Sequence, residues 1–336
     1  MVLQNKNAFV TGGAGFIGST LVRELLKEKA NVIVFDNFLS GKMKNLEEVK
    51  DKIEIIEGDI RDKKLKDVMI KNKVDFVFNL AAEPYIPHCY DRPENFFEIN
   101  SNGAMNVMLS AKAAGVTRAI QYSSSEIYGT ARQVPMDEFH PTIPFSTYAV
   151  SKLAADRLCF TLYHEQQIPI VILRQFNVYG PRETHPYVIP EIITQLNKGN
   201  KLKLGNVAAR RDFTYVTDAA KGAIALMKCK KAEGEVVNMG YGQDWSIEEI
   251  AHIIGELMGH DKIEITTEKA RFRPLDVQQL QCNYFKMHKL TGWDPIVGFK
   301  EGLQKTIDDF KNNNCKWLWE DTFGKEDDIW HGKCKK

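Results

Sequence analysis

The chain is 336 residues long, 43% apolar, with a formal net charge of +1. Such a length can bury one large core or two smaller ones. The balanced charge excludes a polybasic nucleic-acid binder or a protein held to membranes by charge, and apolar runs such as DFVFNLAA at 75–82 are too short to span a bilayer.

In chain order, NAFVT at 7–11 predicts a strand, 15–29 a helix and NVIVFD at 31–36 the next strand. IEIIEGD at 53–59, a helix near 61–72, FVFNLAA at 76–82, a long helix at 94–114 and AIQYSS at 119–124 follow. A helix is expected from Tyr148 to about Gln166, and IVILRQFNVYG at 170–180 reads as one more buried strand. Short apolar runs alternating with helices mean βαβ units and a parallel sheet covered on both faces. The expected fold is α/β: a Rossmann-type doubly wound parallel sheet over 1–180, with a smaller mixed α/β substrate-binding lobe, mainly 181–310, interleaved with it. Prolines 181, 186 and 190 open that less regular part, and RRDFTYVTDAA at 210–220 is a strand leading into a helix. The extension 311–336 holds three of the five tryptophans, which suggests indoles docked on the body or on a second subunit. His331 and Cys334 make a poor metal pair by themselves.

The opening VLQNKNAFVTGG shows no secretion signal. The six cysteines form neither a CxxC pair nor a metal cluster, so reduced thiols, a cytoplasmic location and no metal are expected.

TGGAGFIGS at 11–19 links the first strand to the first helix. Gly12, Gly15 and Gly18 permit a tight turn and a close backbone approach to a pyrophosphate, with Phe16 and Ile17 at the helix start. Amides at that helix N-terminus suit an anion. Asp36 ends the second strand, where a carboxylate would hold ribose hydroxyls and repel a 2′-phosphate, so NAD is favoured over NADP. Asp59 and Ile60 follow the third strand, placed to meet the adenine.

Tyr148 and Lys152, at i and i+4, share one helix face. A nearby ammonium favours the phenolate, and lowering a Tyr pKa from ~10 to ~7 takes roughly 4 kcal/mol of preferential stabilisation. Such a phenolate can take the proton of a substrate alcohol as hydride leaves its carbon.

TGGAGFIGS, DNFLSGK (36–42), GDIRD (58–62), NLAA (79–82), SSSEIYG (123–129), YAVSK (148–152), FNVYGPR (176–182), RRDFTYV (210–216) and RPLD (273–276) stand in this order. Together they resemble the extended short-chain dehydrogenase/reductases of the nucleotide-sugar epimerase/dehydratase family, over about residues 7–310. The resemblance implies a redox triad of Ser124, Tyr148 and Lys152. It implies cofactor contacts at Asn37, Ser40, Gly41, Leu80, Ala81, Ala82, Ser123 and Asn100, the last also positioning the helix. It places Asn177, Arg211, Arg273 and Arg182 at the nucleotide diphosphate, a role that suits guanidinium forks. Glu83, His88 and Tyr90 fall in a segment, EPYIPHCYDRP, that should border the sugar; His88 is expected to be structural, and Tyr128 to be a wall residue.

Glu126 sets the reaction. Simple 4-epimerases of the family usually carry a small residue there. A 4,6-dehydratase needs a second base for the C5 proton, which the C4 ketone acidifies. The Ser125–Glu126 pair departs from the Asp-Glu pair of many glucose-nucleotide dehydratases, which leaves the general acid open. EIYGTARQVPMDEFHP (126–141) and YVIPEIITQLNKGNKLKLGN (187–206) resemble dehydratases acting on UDP-N-acetylglucosamine. UDP-glucuronate decarboxylase, 4-epimerase and a silent NAD-binding regulator are the alternatives. For the decarboxylase, no arginine stands in the catalytic runs to meet a C6 carboxylate. The resemblance also implies a homodimer through helices at about 94–114 and 150–166, where Val107, Leu109, Leu153, Leu158 and Leu162 fall at helical spacing that equally suits burial against the sheet.

Overall fold

The computed structural model describes residues 1–320. Strands are β1 Asn7–Thr11, β2 Asn31–Asp36, β3 Ile53–Glu57, β4 Phe76–Asn79, β5 Arg118–Ser124, β6 Ile170–Gln175, β7 Asn177–Tyr179, β8 Lys201–Leu204, β9 Arg210–Tyr215, β10 Val236–Met239, β11 Asp244–Ser246, β12 Glu264–Thr267 and β13 Gln279–Leu280. Helices are α1 Phe16–Lys27, α2 Leu65–Lys71, α3 Pro93–Phe97, α4 Ala104–Ala114, α5 Thr147–Gln166, α6 Val188–Leu196, α7 Val216–Lys228, α8 Ile247–Leu257, α9 Phe285–Thr291 and α10 Phe299–Asn312.

Seven strands form one sheet in the order β10-β6-β5-β4-β1-β2-β3, every pair parallel. This is the doubly wound arrangement expected, with helices on both faces. Alternation along the strands decides the layers. Val10, Val34, Phe78 and Ile120 pack with Leu21 and Leu25 of α1 and Ala223 and Met227 of α7. Their neighbours Phe9, Ile33, Val77 and Ala119 pack with Met69 of α2, Val107 and Met108 of α4, and Cys159 and Leu162 of α5. Val107 and Leu162 therefore serve the sheet, whereas Leu109 faces outward.

Two expected elements are broken, each for a local reason. The long helix expected at 94–114 contains a π turn, Glu98–Gly103, between α3 and α4. The run 170–180 is two strands: β6 ends at Gln175, and β7 pairs with β9 in a four-stranded sheet with β11 and β13. Phe176 marks the exit; its amide still bonds the Met239 carbonyl at 2.9 Å. That change of sheet carries Asn177 from one lobe to the other.

The smaller lobe packs β8 and β9 with α6, α8 and α10. Trp317 and Trp319 join this core. Trp317 stacks on Phe310, centroids 4.9 Å apart, and its Nε1 donates to Thr194 Oγ1 at 2.7 Å. The described part of the extension thus docks on the body; Trp330, His331 and Cys334 lie outside the described residues. Among the described residues no helix is long and apolar enough to cross a membrane.

Candidate active site

A single cleft runs along the C-terminal ends of β1, β2, β4, β5 and β6 and continues under the smaller lobe. Parallel α/β sheets place ligand crevices at these strand ends. At its first end the chain makes a tight turn. Gly12 has φ +68, and a Cβ there would lie 2.9 Å from the Ala81 amide nitrogen. A Cβ on Gly18 would lie 2.1 Å from the Gly12 carbonyl oxygen. Helix α1 starts without a side-chain cap, so its first amides remain for a ligand. Asp36 is buried at the floor of this part. Its two oxygens accept the Ala14 and Phe38 amides, each at 2.9 Å. Burial raises its pKa, against those bonds. Arg61 grips Asp59 through two bonds and, more than any other cause, lowers its pKa to about 2.

The residues fit a dinucleotide. Asn37, Ser40, Gly41, Asp59, Ile60, Leu80, Ala81 and Ala82 line the cleft with Gly12, Gly15, Phe16, Ile17, Gly18 and Asp36. Ser123 Oγ, Gln175 Oε1 and Asn177 Oδ1 also sit on cleft-lining residues, buried without a hydrogen-bond partner. Buried polar atoms left this way are uncommon and cluster here beside the cleft.

In the middle of the cleft β5 ends in Ser123 and Ser124, and one tight turn presents Ser125 and Glu126. The Ser124 hydroxyl accepts the Glu126 amide at 3.2 Å, and its closeness to the Tyr148 phenol favours the phenolate. Ser146 caps α5 by accepting the Ala149 amide at 3.1 Å, which places Tyr148 and Lys152 on the first turns of that helix. Asn100, in the π turn, locks the same region. Its Oδ1 accepts the Glu83 amide, and its Nδ2 donates to the Glu83 carbonyl and to Ser151 Oγ. π turns recur at such sites.

The electrostatics depart from the expected tuning. Burial pushes the Tyr148 phenol up to about 12, and the Glu126 carboxylate adds to this, while the Ser124 bond opposes it. Burial lowers Lys152 to about 8. Its ammonium donates to the Tyr122 carbonyl at 2.6 Å. The lowered phenol expected from Lys152 is therefore absent in the protein alone.

Beyond Glu126 lie the arginines. Arg273 NH1 stands 4.0 Å from Glu126 Oε1, and Arg211 NH2 3.6 Å from Asp276 Oδ1. Glu83 also lines the cleft, as do Tyr85, His185 and Tyr187, whose rings contact one another. Burial raises the Glu83 pKa, but His88, His185 and Arg92 together hold it below the usual value.

A family model described as GDP-mannose 4,6 dehydratase matches residues 9–306. The chain belongs to this family. The human (Homo sapiens) dTDP-D-glucose 4,6-dehydratase is 31% identical over 323 residues, covering 93% of this chain and 92% of its own. A UDP-N-acetyl-alpha-D-glucosaminuronate decarboxylase from Bacillus cytotoxicus is 34% identical over 319 residues, covering 91% and 98%. The solved dTDP-glucose 4,6-dehydratase DesIV from Streptomyces venezuelae, with NAD bound, has a TM-score of 0.86 at 29% identity, covering 93% of this chain and 99% of its own.

Within this dehydratase-family cleft, several residues stand apart from their expected places. Asn100 does not line it and acts through Glu83 and Ser151. Arg182, expected at the diphosphate, is also outside the lining. It has φ +67, its amide donates to Asp309 and its NH2 to Thr20 Oγ1, so it ties α10 to α1. Tyr128 is core rather than wall: its hydroxyl donates to Asn238 Oδ1 at 2.7 Å and accepts from Arg174 at 2.9 Å. His88 lies behind Glu83, Nδ1 to Oε1 3.8 Å, and neither it nor Tyr90 lines the cleft. The arginine missing from the catalytic runs comes from RPLD, far along the chain. His185, Tyr187, Glu191 and Arg271 line the cleft without having been foreseen. The sequence offered the prolines at 186 and 190 around His185 and Tyr187, and the 187–206 run that holds Tyr187 and Glu191, but nothing that singled these residues out.

Proposed function

We propose that the chain is an NAD-dependent nucleotide-sugar 4,6-dehydratase and that its substrate is UDP-N-acetylglucosamine. One observation carries the reaction type. The Ser124 hydroxyl accepts the Glu126 amide at 3.2 Å and lies close enough to the Tyr148 phenol to favour its ionised form, so the oxidising phenol and the eliminating carboxylate gather about one residue. NAD, when bound, supplies a hydride acceptor and, oxidised, a positive charge beside the phenol. Tyr148 takes the proton of the C4 hydroxyl, with Ser124 bonded to the same oxygen. The resulting C4 ketone acidifies C5. Glu126 takes the C5 proton, and the electron pair left behind forms the C5–C6 double bond as the C6–O bond breaks. Glu126 returns its proton to the departing hydroxyl, which leaves as water. The hydride lost from C4 when the ketone formed is returned to C6, and protonation at C5 completes the 4-keto-6-deoxy sugar.

The UDP-N-acetylglucosamine assignment rests on the 126–141 and 187–206 runs and on a relative named for an N-acetylated UDP sugar. A decarboxylase is the second reading. That relative favours it, and so does Arg273 beside Glu126. Against it, Glu83 adds a second carboxylate to a cleft that would have to accept a sugar acid. A homodimer through α4 and α5 is supported by Met105 and Leu109 of α4 and Val150 of α5, apolar residues left exposed on these elements. A cytoplasmic location accords with nucleotide-sugar chemistry. The test is product mass: the purified protein is given UDP-N-acetylglucosamine, dTDP-glucose, GDP-mannose and UDP-glucuronate separately. Loss of one water from UDP-N-acetylglucosamine supports the reading; loss of CO₂ from UDP-glucuronate alone replaces it with the decarboxylase.

A further inference from the structure

Arg273 has two claims on it. Its motif assigns it to the substrate diphosphate, yet its guanidinium stands 4.0 Å from the Glu126 carboxylate. Arg211 likewise faces Asp276 at 3.6 Å. The four groups form one charge-balanced set, for Glu126 and Asp276 both act on each arginine. Among the described residues the hydrogen bonds of Glu126 are those of its backbone, its amide to Ser124 Oγ and its carbonyl from the Gly129 amide. Its side chain is long and rotatable, and Arg273 is the cation within ion-pair distance among the described residues. A base that must meet one C–H bond needs a held geometry, because small misplacements cost large factors in rate. A guanidinium is suited to this: its fork has five donors, so one edge can hold a carboxylate while another faces a phosphate.

We propose that Arg273 is a positioning residue for Glu126, holding the carboxylate at C5 and tying its placement to the bound diphosphate. This rests on the dehydratase reading, in which Glu126 removes the C5 proton. It assigns Arg273 an effect on elimination that a phosphate ligand would not have. A purely diphosphate-binding arginine would change affinity and leave the chemical partition alone.

The experiment compares wild type, Arg273→Gln and Arg273→Lys, the last keeping the charge without the fork. Three quantities are read: the UDP dissociation constant by calorimetry, kcat and KM for water loss, and the amount of reduced cofactor and 4-keto hexose that accumulates before elimination. Expected for Arg273→Gln is a kcat fall of about 30-fold or more, with the oxidised sugar and reduced cofactor building up. The UDP dissociation constant should rise by no more than about 5-fold, roughly 1 kcal/mol, which also verifies folding. Arg273→Lys should recover part of kcat. A rise of about tenfold in both KM and the UDP dissociation constant, with kcat unchanged and no accumulation, would overturn the proposal and leave Arg273 a phosphate ligand. A wild type that releases water from none of the sugars would overturn the dehydratase reading and this proposal together. A working wild type with an indifferent Arg273→Gln overturns this proposal alone.

Discussion

The two halves of the cleft are built differently. The cofactor half is made of backbone: glycines in a turn, amides at a helix start, and one carboxylate fixed by one of the chain's own amides at each oxygen. The sugar half is made of side chains brought from β4, β5, the segment after β7, β9 and the 271–276 loop, with each of two arginines facing a carboxylate. A half made of backbone has one shape for a ligand common to many enzymes. A half made of side chains can be re-specified by changing a few residues, which is where substrates diverge within a family.

The largest expected effect tests the junction between the halves. Tyr148→Phe should lower turnover by about 10³-fold, within the range for a lost acid–base group, while the cofactor content of the purified protein, read by absorbance after denaturation, stays near wild type. Loss of the cofactor too would mean that the halves are not separable. Next comes Glu126→Gln. Water loss should fall by about 10²-fold or more, while exchange of hydride at C4, followed by isotope labelling, persists. Wild-type dehydration in that variant would remove Glu126 from the mechanism.

The sugar half should also be the one that responds to mild acid, above the range in which Asp59 of the cofactor half titrates. Burial lowers His185 to about 4, against an unfolded value of 6.5. Between these values the unfolded chain binds the extra proton, so stability falls as pH drops through this window, by up to about 3 kcal/mol. His185→Asn should flatten that part of a denaturation-versus-pH series; an unchanged slope would place the sensitivity elsewhere. In the cofactor half, Gly18→Ala should cost about 1–3 kcal/mol, since its Cβ would meet the Gly12 carbonyl at 2.1 Å, and cofactor retention should fall with it. The smallest effect belongs to Arg182→Gly. A glycine adopts φ +67 without strain, so KM for the nucleotide sugar should stay within about 2-fold. A large rise in KM would return Arg182 to the substrate.

The fold and the cofactor half were legible because their determinants are local. TGGAGFIGS and the second-strand Asp36 are turn and helix-start chemistry, dictated within a few residues. Alternating apolar strands dictated the layers. Tyr148 and Lys152 could be paired because four residues are one helical turn. The misplaced residues share a different cause. Arg182 sits in a motif that matches, but a left-handed backbone turns it toward Thr20. Tyr128 adjoins Glu126 in sequence, yet its ring enters the core to meet Asn238 and Arg174.

By itself, then, the sequence determined the parallel sheet and the glycine turn, since period, capping and turn preference act over short stretches of chain, and it nominated Tyr148 and Glu126 for the proposed chemistry. Only the tertiary structure decided which arginine stands at Glu126, what surrounds Glu83, and that the Tyr148 phenol is raised rather than lowered in the protein alone. Charge pairing and desolvation depend on groups that the fold brings together from separate stretches of chain, as it brings Arg273 to Glu126, and no local pattern encodes the distance between them.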